Sequence, residues 1–557
     1  MNEGFSMDNA VKTPIEMLYQ WEKQTPNKVY LRQPINDEWQ EYTWAQVADQ
    51  ARRMAAAIQS MDLPPKSCIA IAGRNTAHWF MADFAIQMAG HISVGLYPKQ
   101  ATETVNYILN HCEAKVIFIG PMDDPECITD GIPEGVTRIT FPYPDVAPAD
   151  TSWDALIGAN EPLAGEPKPN PEDIFTLIYT SGTTGNPKGV TLSYNNIMTA
   201  VPGASSVIEI NDSDRLFSYL PLAHIFERAV VELASLYHNV QISFLEELKK
   251  FPTQLPMVAP TMFVAVPAVW TRLQHGILEK MPQKKLNLLL RIPILNNLIR
   301  KKIKTALGLQ NVRFAISGAA PIPVSTLQWW DRMGVTIHEG YAMSENTAYA
   351  FINYPGKARF GSVGQALPDS EVKIADDGEI LTRSGATMVG YYKQPDKTAE
   401  AIDSDGWLHT GDRGRVDEDG YLFITGRVKD IFKTIKGKYV APAPIEGKFG
   451  SNSDIESLCM VGAGLKQPVL LVSLSEEGQH KDRTEVEAGL LESLKNVNAT
   501  LEAHEVIDSI GICAQPWTID NGLLTPTMKI KRNVVEDQYK PLVEQCVAAG
   551  RGKVVWE

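Results

Sequence analysis

Cysteine is scarce in this sequence, and its cysteines lie far apart. Six of them are spread over 557 residues, and no CxxC pair occurs. Structural zinc sites and the disulfide frameworks of small secreted domains both need cysteines at short, regular spacings. The sequence therefore favours neither a structural zinc site nor a disulfide framework. Scattered thiols are instead typical of a reducing compartment, and we expect a cytoplasmic location.

Positive charge is also scarce. Lysine and arginine number 52 against 66 aspartates and glutamates, so the formal net charge is −14. A protein that binds nucleic acid through its overall charge needs a positive surface for the phosphate backbone. We therefore expect no nucleic-acid partner.

The sequence lacks a long uncharged hydrophobic run. Its most apolar long stretch, residues 80–97, contains Asp83 and His91, which favours a buried helix and strand over a membrane-spanning segment. The first ten residues hold two acids and have neither the basic nor the apolar region of a secretory signal. These features predict a protein that is at most peripheral to a membrane.

What the sequence does contain is an alternation of apolar runs and helical periodicity. Apolar runs occur at 68–73, 114–120, 174–182, 215–222 and 312–318, and helical periodicity at 43–61, 76–89, 102–111, 484–500 and 533–549. Continuous apolarity is typical of parallel strands that are covered on both faces. Further along the chain, turn triplets at 376–378, 404–406 and 418–420 predict small antiparallel hairpins.

One loop combines glycine, hydroxyl and lysine side chains. Residues 178–190 read IYTSGTTGNPKGV and directly follow a predicted strand. Glycine lets the backbone approach an anion, hydroxyl groups donate hydrogen bonds, and Lys188 adds positive charge. The loop is not a P-loop, because Lys188 precedes Gly189 and no serine or threonine follows. By itself it is consistent both with a phosphate site and with an ordinary surface hairpin.

Seven motifs, in order along the chain, resemble the adenylate-forming or AMP-binding superfamily, which includes acyl-CoA synthetases, peptide-synthetase adenylation domains and luciferases. They are YTSGTTGNPKGV (179–190), LPLAHIFER (220–228), SGAAPIP (317–323), GYAMSENT (340–347), GWLHTGD (406–412), GRVKD (426–430) and LTPTMKIKR (524–532). Two further segments, 263–277 and 438–446, are most similar to long-chain fatty-acid CoA ligases.

The resemblance implies an α/β fold in two unequal parts. The expected large N-terminal domain has mixed and parallel sheets flanked by helices and includes a small β-barrel-like subdomain. A small mobile α+β C-terminal domain follows it. We place the N-terminal domain at 1–426, the hinge at 427–430 and the C-terminal domain at 431–557, since the composition changes near GRVKD.

The activity implied by the resemblance is that of a long-chain fatty-acid CoA ligase that uses ATP, Mg²⁺ and CoA. The fatty acid would react with the α-phosphate of ATP to give an acyl-adenylate and pyrophosphate, and CoA would then displace AMP. A free carboxylate is a poor electrophile, because its negative charge repels nucleophiles. Catalysis of this kind is mostly positioning and charge neutralisation.

The resemblance also implies a nucleotide site residue by residue. The residues expected around the β- and γ-phosphates are Thr180, Ser181, Gly182, Thr183, Thr184 and Lys188. Those expected around the rest of the nucleotide are Gly318, Ala319 and Ala320 beside adenine, Tyr341 stacked on adenine, Ser344 at the α-phosphate, Asp412 at the ribose hydroxyls, and Arg427 at the ribose or a phosphate. Most relatives have threonine in place of Ser344, and serine keeps the hydroxyl group.

Three residues are expected to act on the reacting groups. Glu345 would hold Mg²⁺, an ion that tolerates few protein ligands. Lys529 would bring a cation to the transferring carboxylate and the α-phosphate, on a mobile domain whose hinge includes Lys429. His224 would lie near the acyl carboxylate, although a lone histidine more often satisfies hydrogen bonds in a core.

One position departs from the family pattern. Relatives usually have a glycine pair after the hinge, at the passage for the pantetheine of CoA, whereas this chain has Lys436 followed by Gly437. A lysine there would either narrow the passage or contact a CoA phosphate. The alternative to CoA is therefore an acceptor on a carrier protein, or an amine, with the same acyl-adenylate intermediate.

A basic segment contrasts with the acidic chain around it. Residues 284–304 contain seven lysines and arginines and no acid, with leucine and isoleucine between them. Basic amphipathic segments bind anionic membrane surfaces, so peripheral membrane contact is one interpretation. The other is an ordinary helical hairpin, interrupted at Pro293, with its lysines in water. Neither the oligomeric state nor the acyl chain length is predicted.

Overall fold

The structure is a computed structural model of the full chain. The structure describes residues 11–180, 186–450, 452–525 and 528–557, except for the side chain of Ile294. Within those residues no helix combines the length and apolarity needed to cross a membrane.

The largest sheet has eight strands and carries the predicted phosphate loop near one edge. Its spatial order is Gly390–Tyr391, Lys188–Ser193, Ile174–Thr180, Ile92–Leu96, Cys68–Ala72, Val116–Ile119, Thr137–Thr140 and Thr151–Ser152. The last six of these run parallel, and the first two are antiparallel to their neighbours. Cys68–Ala72 is buried along its whole length. This confirms that continuous apolar runs form covered parallel strands.

Two further sheets complete the larger part of the molecule. A five-stranded sheet has the order Met262–Ala265, Phe314–Ser317, Ile337–Tyr341, Phe351–Ile352 and Gln365–Ala366. A four-stranded sheet has the order Arg215–Ser218, Gln241–Phe244, Val29–Ile35 and Glu38–Thr43. The mixed and parallel architecture expected from the resemblance is therefore present.

The expected barrel-like subdomain is an open sheet and not a closed barrel. Among the described residues, its four antiparallel strands have the order Glu371–Ile374, Glu379–Arg383, Leu408–Val416 and Leu422–Arg427. The turn triplets 376–378 and 418–420 form hairpin turns within it, as predicted. The triplet 404–406 instead turns the chain between a helix and a strand, where only the single bridge from Ile402 to Leu408 forms.

The C-terminal part is α+β, as the resemblance implies. After the short hairpin Phe432–Lys433 and Tyr439–Val440, a four-stranded sheet has the order Ile455–Val461, Val469–Leu474, Ser509–Ile512 and Lys553–Trp556. The α-helices around it are Pro442–Glu446, Glu476–His480, Arg483–Asn498, Arg532–Gln538 and Lys540–Ala549, and Gly447–Phe449 is a 3-10 helix.

The prediction of a single helix at 533–549 is wrong. The segment forms two helices, and the first ends at Gln538. The second has Pro541 in its first turn. Proline lacks an N–H group and its ring obstructs the preceding turn, so it is tolerated at the start of a helix and not in its interior.

Helices cover the sheets of the larger part. The α-helices are Pro14–Gln24, Trp44–Ser60, Ala77–Met88, Thr102–His111, Glu126–Thr129, Trp153–Ala159, Tyr194–Ser205, Ile225–Glu227, Ala234–His238, Phe251–Val258, Pro267–Lys280, Gln283–Leu290, Pro293–Ala306, Val324–Arg332 and Pro395–Ala401. Arg228–Leu233 is a π-helix, and Leu248–Lys250 and Ser344–Asn346 are 3-10 helices. Local sequence signals explain where the helix Trp44–Ser60 begins, since Thr43 caps it and exchanges reciprocal hydrogen bonds with Gln46.

Candidate active site

The predicted site residues lie at the ends of strands from several sheets. Thr180 is the last residue of Ile174–Thr180, and Gly318 directly follows Phe314–Ser317. Tyr341 ends the neighbouring strand Ile337–Tyr341. In open α/β sheets, ligands bind outside the carboxyl ends of the parallel strands. This geometry gathers motifs that are widely separated in sequence.

Asp412 lies at the centre of a hydrogen-bonded group. Arg427 Nε donates to Asp412 Oδ1 at 2.9 Å, and the Tyr341 hydroxyl donates to Asp412 Oδ2 at 2.8 Å. Burial, followed by the charge of Asp412, raises the pKa of Tyr341 well above its ordinary value, so the phenol stays protonated and remains a donor. Each carboxylate oxygen has a second lone pair, which leaves Asp412 able to accept two ribose hydroxyl groups.

The turn after Phe314–Ser317 has the small residues expected beside adenine. Gly318 is buried, and a Cβ atom built on it would lie 3.1 Å from Phe226 Cζ. Ala319 has a φ of 68°, in the left-handed region that most residues avoid. Ala320 is exposed. The sequence analysis did not single out Phe226, although it lies two residues after His224 in the same motif.

Tyr391, which the motifs did not single out, contacts both Glu345 and Lys188, the residues predicted to bind the metal and the phosphates. The Tyr391 hydroxyl donates a 2.8 Å hydrogen bond to Glu345 Oε1. Lys188 Nζ lies 4.0 Å from the centre of the Tyr391 ring. Burial lowers the pKa of Lys188, and the charge of Glu345 opposes that shift. The sequence signal for Tyr391 is weak, because a tyrosine after Gly390 also fits an ordinary strand.

The Glu345 carboxylate is a suitable ligand for Mg²⁺. Glu345 is only 7% exposed and lies in the 3-10 helix Ser344–Asn346, in which Ser344 is also buried. Within the described part of the chain, no group of three or more His, Cys, Asp or Glu side chains could hold a metal by itself. A single carboxylate suits Mg²⁺, which retains water and takes most of its other ligands from substrate phosphates.

His224 is a neutral side chain that caps a helix. Its Nδ1 atom accepts a 3.1 Å hydrogen bond from the Phe226 backbone N–H, which assigns the proton of the neutral ring to Nε2. Burial, followed by the positive charge of Lys529, lowers the pKa of His224 to about 4. The structure therefore gives His224 both a structural role and a free N–H donor near Lys529.

Lys529 comes from the C-terminal part and lies among residues of the larger part. Burial, followed by the charge of Arg427, lowers the pKa of Lys529, whereas Asp412 and Glu345 raise it. The residue as a whole is exposed, so its ammonium lies in a cleft that still opens to solvent. The Thr525 N–H donates a 2.8 Å hydrogen bond to the Lys529 carbonyl, and the Lys529 N–H donates a 3.0 Å hydrogen bond to Thr525 Oγ1.

The remaining predicted residues are distributed as follows. Ser181, Gly182, Thr183 and Thr184 lie outside the described residues. Lys429 is exposed, and its charge contributes to the lowered pKa of Lys188. Lys436 and Gly437 are exposed in the turn of the hairpin Phe432–Lys433 and Tyr439–Val440, where Gly437 has a φ of 79°. The hinge and CoA-passage roles stay predictions.

Comparison with protein families identifies both parts of the chain. Residues 18–392 match the family described as AMP-binding enzyme, and residues 429–550 match its C-terminal domain. A relative from Mycobacterium bovis, named long-chain-fatty-acid–CoA ligase FadD15, is 30% identical and covers 95% of this chain and 96% of its own length. The human long-chain-fatty-acid–CoA ligase 1 is 28% identical over 91% of this chain and 82% of its own.

Solved structures with the same fold include enzymes with other names. A crystal structure of the anthranilate CoA ligase AuaEII with anthranoyl-AMP has a TM-score of 0.80 and 21% identity, covering 96% of this chain and 99% of that chain. The adenylation domain of a carboxylate reductase from Mycobacterium chelonae has a TM-score of 0.83 and 20% identity, covering 97% and 92%. At 20–21% sequence identity, the structural similarity establishes the fold alone.

These findings agree with the geometry of the site. The enzymes of this family use ATP with Mg²⁺, and its CoA ligases also use CoA, so the cofactor prediction is confirmed at the level of the family. The chain belongs to the AMP-binding enzyme family: it is an adenylate-forming ligase that resembles the fatty-acid CoA ligases.

Proposed function

We propose that the protein converts a long-chain fatty acid into its CoA thioester through an acyl-adenylate. The observation that carries this proposal is the position of Lys529, whose ammonium is close enough to Asp412 and Glu345 for their charges to raise its pKa, and close enough to His224 to lower the pKa of that ring. A cation at that point can serve a reaction in which negative charge develops between a carboxylate and a phosphate. Adenylation is such a reaction.

In the first half-reaction, a carboxylate oxygen of the fatty acid attacks the α-phosphorus of ATP. The bond from that phosphorus to the bridging oxygen breaks, and pyrophosphate leaves with the electron pair. Lys529 neutralises charge on the carboxylate and the α-phosphate, and Lys188 does so at the departing phosphates. Asp412 orients the ribose through its free lone pairs. Glu345 would hold Mg²⁺, which when bound would further neutralise the phosphates.

In the second half-reaction, the CoA thiolate attacks the acyl carbonyl carbon and AMP leaves. No strong cation is needed between the groups at this stage, and Lys529 would block the approach of the thiol. We propose that the C-terminal part, residues 431–557, then rotates about a hinge at 427–430, next to the larger domain at 1–426. The exposure of Lys429 supports this, since a hinge residue must change its backbone angles without disrupting a core.

The proposed long-chain preference rests on relatives at about 30% identity, and two solved structures with the same fold are of enzymes named for other acids, anthranilate and o-succinylbenzoate. The test is to incubate the protein with ATP, Mg²⁺ and carboxylic acids of increasing length, with and without CoA, and to identify the products by mass. Acyl-CoA from long acids only, and only with CoA, is expected. Products from short or aromatic acids alone would contradict the long-chain assignment.

Lys436 supports a second candidate, in which the acyl group passes to a carrier protein or an amine. The test is the same incubation with wild type and with Lys436→Gly. The second candidate would be favoured if wild type accumulates acyl-AMP despite added CoA and Lys436→Gly converts that acyl-AMP to acyl-CoA. We expect wild type to consume acyl-AMP once CoA is added.

We further propose peripheral binding of the basic hairpin, Gln283–Leu290 and Pro293–Ala306, to an anionic lipid surface. Its inner face packs through Leu286, and Trp329 Nε1 donates a 2.9 Å hydrogen bond to Gln283. Its outer face exposes Leu288 and Leu298, at 62% and 59%, beside its lysines and arginines. Exposed leucines among cations match the chemistry of a membrane interface.

The membrane proposal is tested by sedimentation with phosphatidylcholine vesicles that contain or lack phosphatidylglycerol. Binding is expected only with the anionic lipid. It should be lost in Lys301→Glu/Lys302→Glu and weakened in Leu298→Ser, while the charge reversal of the remote, exposed Lys448 should leave it intact. Equal recovery with both kinds of vesicle, or no recovery with either, would contradict the proposal.

A further inference from the structure

We propose that Tyr391 is a positioning residue of the adenylation site, which holds Glu345 and Lys188 apart and aims both at the metal–phosphate group. The inference rests on the proposed function for its reaction, but its contacts stand by themselves. Tyr391 touches both residues at once, through its hydroxyl to Glu345 at 2.8 Å and through its ring to Lys188 at 4.0 Å.

The backbone of Tyr391 is fixed on three sides. Tyr391 pairs with Val190 at the edge of the largest sheet, next to the strand that begins at Lys188. Its N–H donates to Thr398 Oγ1 at 2.9 Å. The next residue, Tyr392, donates its N–H to the Gly189 carbonyl at 2.8 Å. The ring is therefore placed by sheet pairing and not by a mobile loop, which suits a residue that must orient others.

Glu345 is anchored to the same short segment twice. Its backbone carbonyl accepts a 2.8 Å hydrogen bond from the Met388 N–H, and its Oε1 accepts the Tyr391 hydroxyl. This leaves Oε2 for a metal ion. A hydrogen bond to a charged acceptor is stronger than one between neutral groups, so the hydroxyl restrains the rotation of the carboxylate effectively.

Tyr391 also contacts two side chains of opposite charge. Lys188 and Glu345 are both described and form no direct ion pair, although the charge of Glu345 opposes the lowering of the Lys188 pKa. The negative face of an aromatic ring attracts an ammonium group. Without the ring, Lys188 and Glu345 could close on one another, which would remove a cation from the phosphates and a carboxylate from Mg²⁺.

A matched control lies next along the chain. The Tyr392 ring packs edge-on against His111, with ring centres 5.9 Å apart, and its hydroxyl lies near the Cys68 and Cys112 thiols and the Glu113 carboxylate. Tyr391 and Tyr392 are thus consecutive residues with different surroundings. Replacing each with phenylalanine removes the same atom from the same strand end.

The experiment measures the binding of ATP at increasing Mg²⁺ by calorimetry, which needs no acid substrate. We expect Tyr391→Phe to raise the Mg²⁺ concentration at half-saturation about tenfold, as for loss of a hydrogen bond to a charged group. Tyr391→Leu, which also removes the ring, should weaken ATP binding further. Tyr392→Phe should match wild type. Unchanged Mg²⁺ dependence in Tyr391→Phe would overturn the proposal.

The two half-reactions give a second readout. Tyr391→Phe should slow acyl-AMP formation and leave the reaction of supplied acyl-AMP with CoA unchanged. A purely structural role would lower the melting temperature and slow both half-reactions together, which would also overturn the proposal. If wild type adenylates no acid at all, the proposed function fails, and the calorimetric comparison still decides the role of Tyr391.

Discussion

Asp412 faces Arg427 across two neighbouring antiparallel strands, and Arg427 Nε donates a 2.9 Å hydrogen bond to Asp412 Oδ1. The pair is asymmetric, because the Asp412 side chain is 12% exposed and the Arg427 side chain 48%. The carboxylate is thus held in place by the fold, whereas the guanidinium is partly open to solvent. Sheet register alone brings the two motifs that carry these residues together.

Loss of charge at Asp412 should weaken ATP binding. Asp412→Asn keeps the shape of the side chain but replaces one acceptor oxygen with a donor, which would face either Tyr341 or Arg427. We expect the KM for ATP to rise about tenfold, as for a lost hydrogen bond to a charged group. Asp419→Asn, in an exposed turn of the same sheet, is the control and should match wild type. Equal KM values for all three proteins would contradict the role of Asp412.

Removing the Lys529 ammonium should separate the two half-reactions. Lys529→Ala is expected to slow acyl-AMP formation about a hundredfold or more, the usual effect of losing one group that stabilises developing charge. The reaction of supplied acyl-AMP with CoA should keep its rate, because the proposed rotation removes Lys529 from the site before that step. Lys531→Ala, two residues away, is the control. An equal loss in both half-reactions would argue against a cation specific to adenylation.

His224 should serve as a donor and not as a titrating base. Because its pKa is lowered to about 4, the ring is neutral above about pH 5 and should contribute no inflection to the pH–rate profile near 6.5. His224→Asn keeps an acceptor for the helix cap. It should retain the melting temperature and lower kcat/KM for the acid about tenfold. His480→Asn, on an exposed helix, is the control.

Glu227 should make the stability depend on pH. Burial raises its pKa from 4.5 to about 8, although Ser218 and Asn75 donate to it. Between these two values the folded state holds a proton that the unfolded state has lost, so the free energy of unfolding falls as the pH rises. Glu227→Gln keeps the acceptor oxygen and removes this dependence.

The Glu227 prediction is checked by melting curves at several pH values across that window. The melting temperature of Glu227→Gln minus that of wild type should increase steadily with pH. The exposed Glu418→Gln should track wild type throughout. A difference that stays constant with pH would contradict a buried, protonated Glu227.

Local patterns predicted most elements closely. The helix predicted at 76–89 is Ala77–Met88, and the one at 102–111 is Thr102–His111. Periodicity and capping residues are properties of neighbouring positions, so they can be read without the fold. The prediction of one helix at 533–549 was wrong because it followed the apolar periodicity and disregarded Pro541. That proline is itself a local signal in the sequence.

The sequence predicted some residues of the candidate site and missed Tyr391. Motif order singled out Glu345, Asp412 and Lys529 as candidates, because each chemical task needs a particular residue type at a fixed place in its motif. It did not identify Tyr391, whose hydroxyl reaches Glu345 from a position 46 residues away along the chain. Nothing in the local sequence distinguishes that tyrosine from Tyr392 beside it.

By itself the sequence determined the family, the adenylating chemistry and the types of side chain that perform it, since these depend on residue identity within short motifs. Only the tertiary structure decided which donors meet which acceptors. It set Arg427 and Tyr341 on the two oxygens of Asp412 and brought Lys529 near that carboxylate. It also placed Lys188 against the ring of Tyr391, whose hydroxyl donates to Glu345. Such contacts depend on how strands far apart in the chain pair and pack, and no local pattern encodes that arrangement.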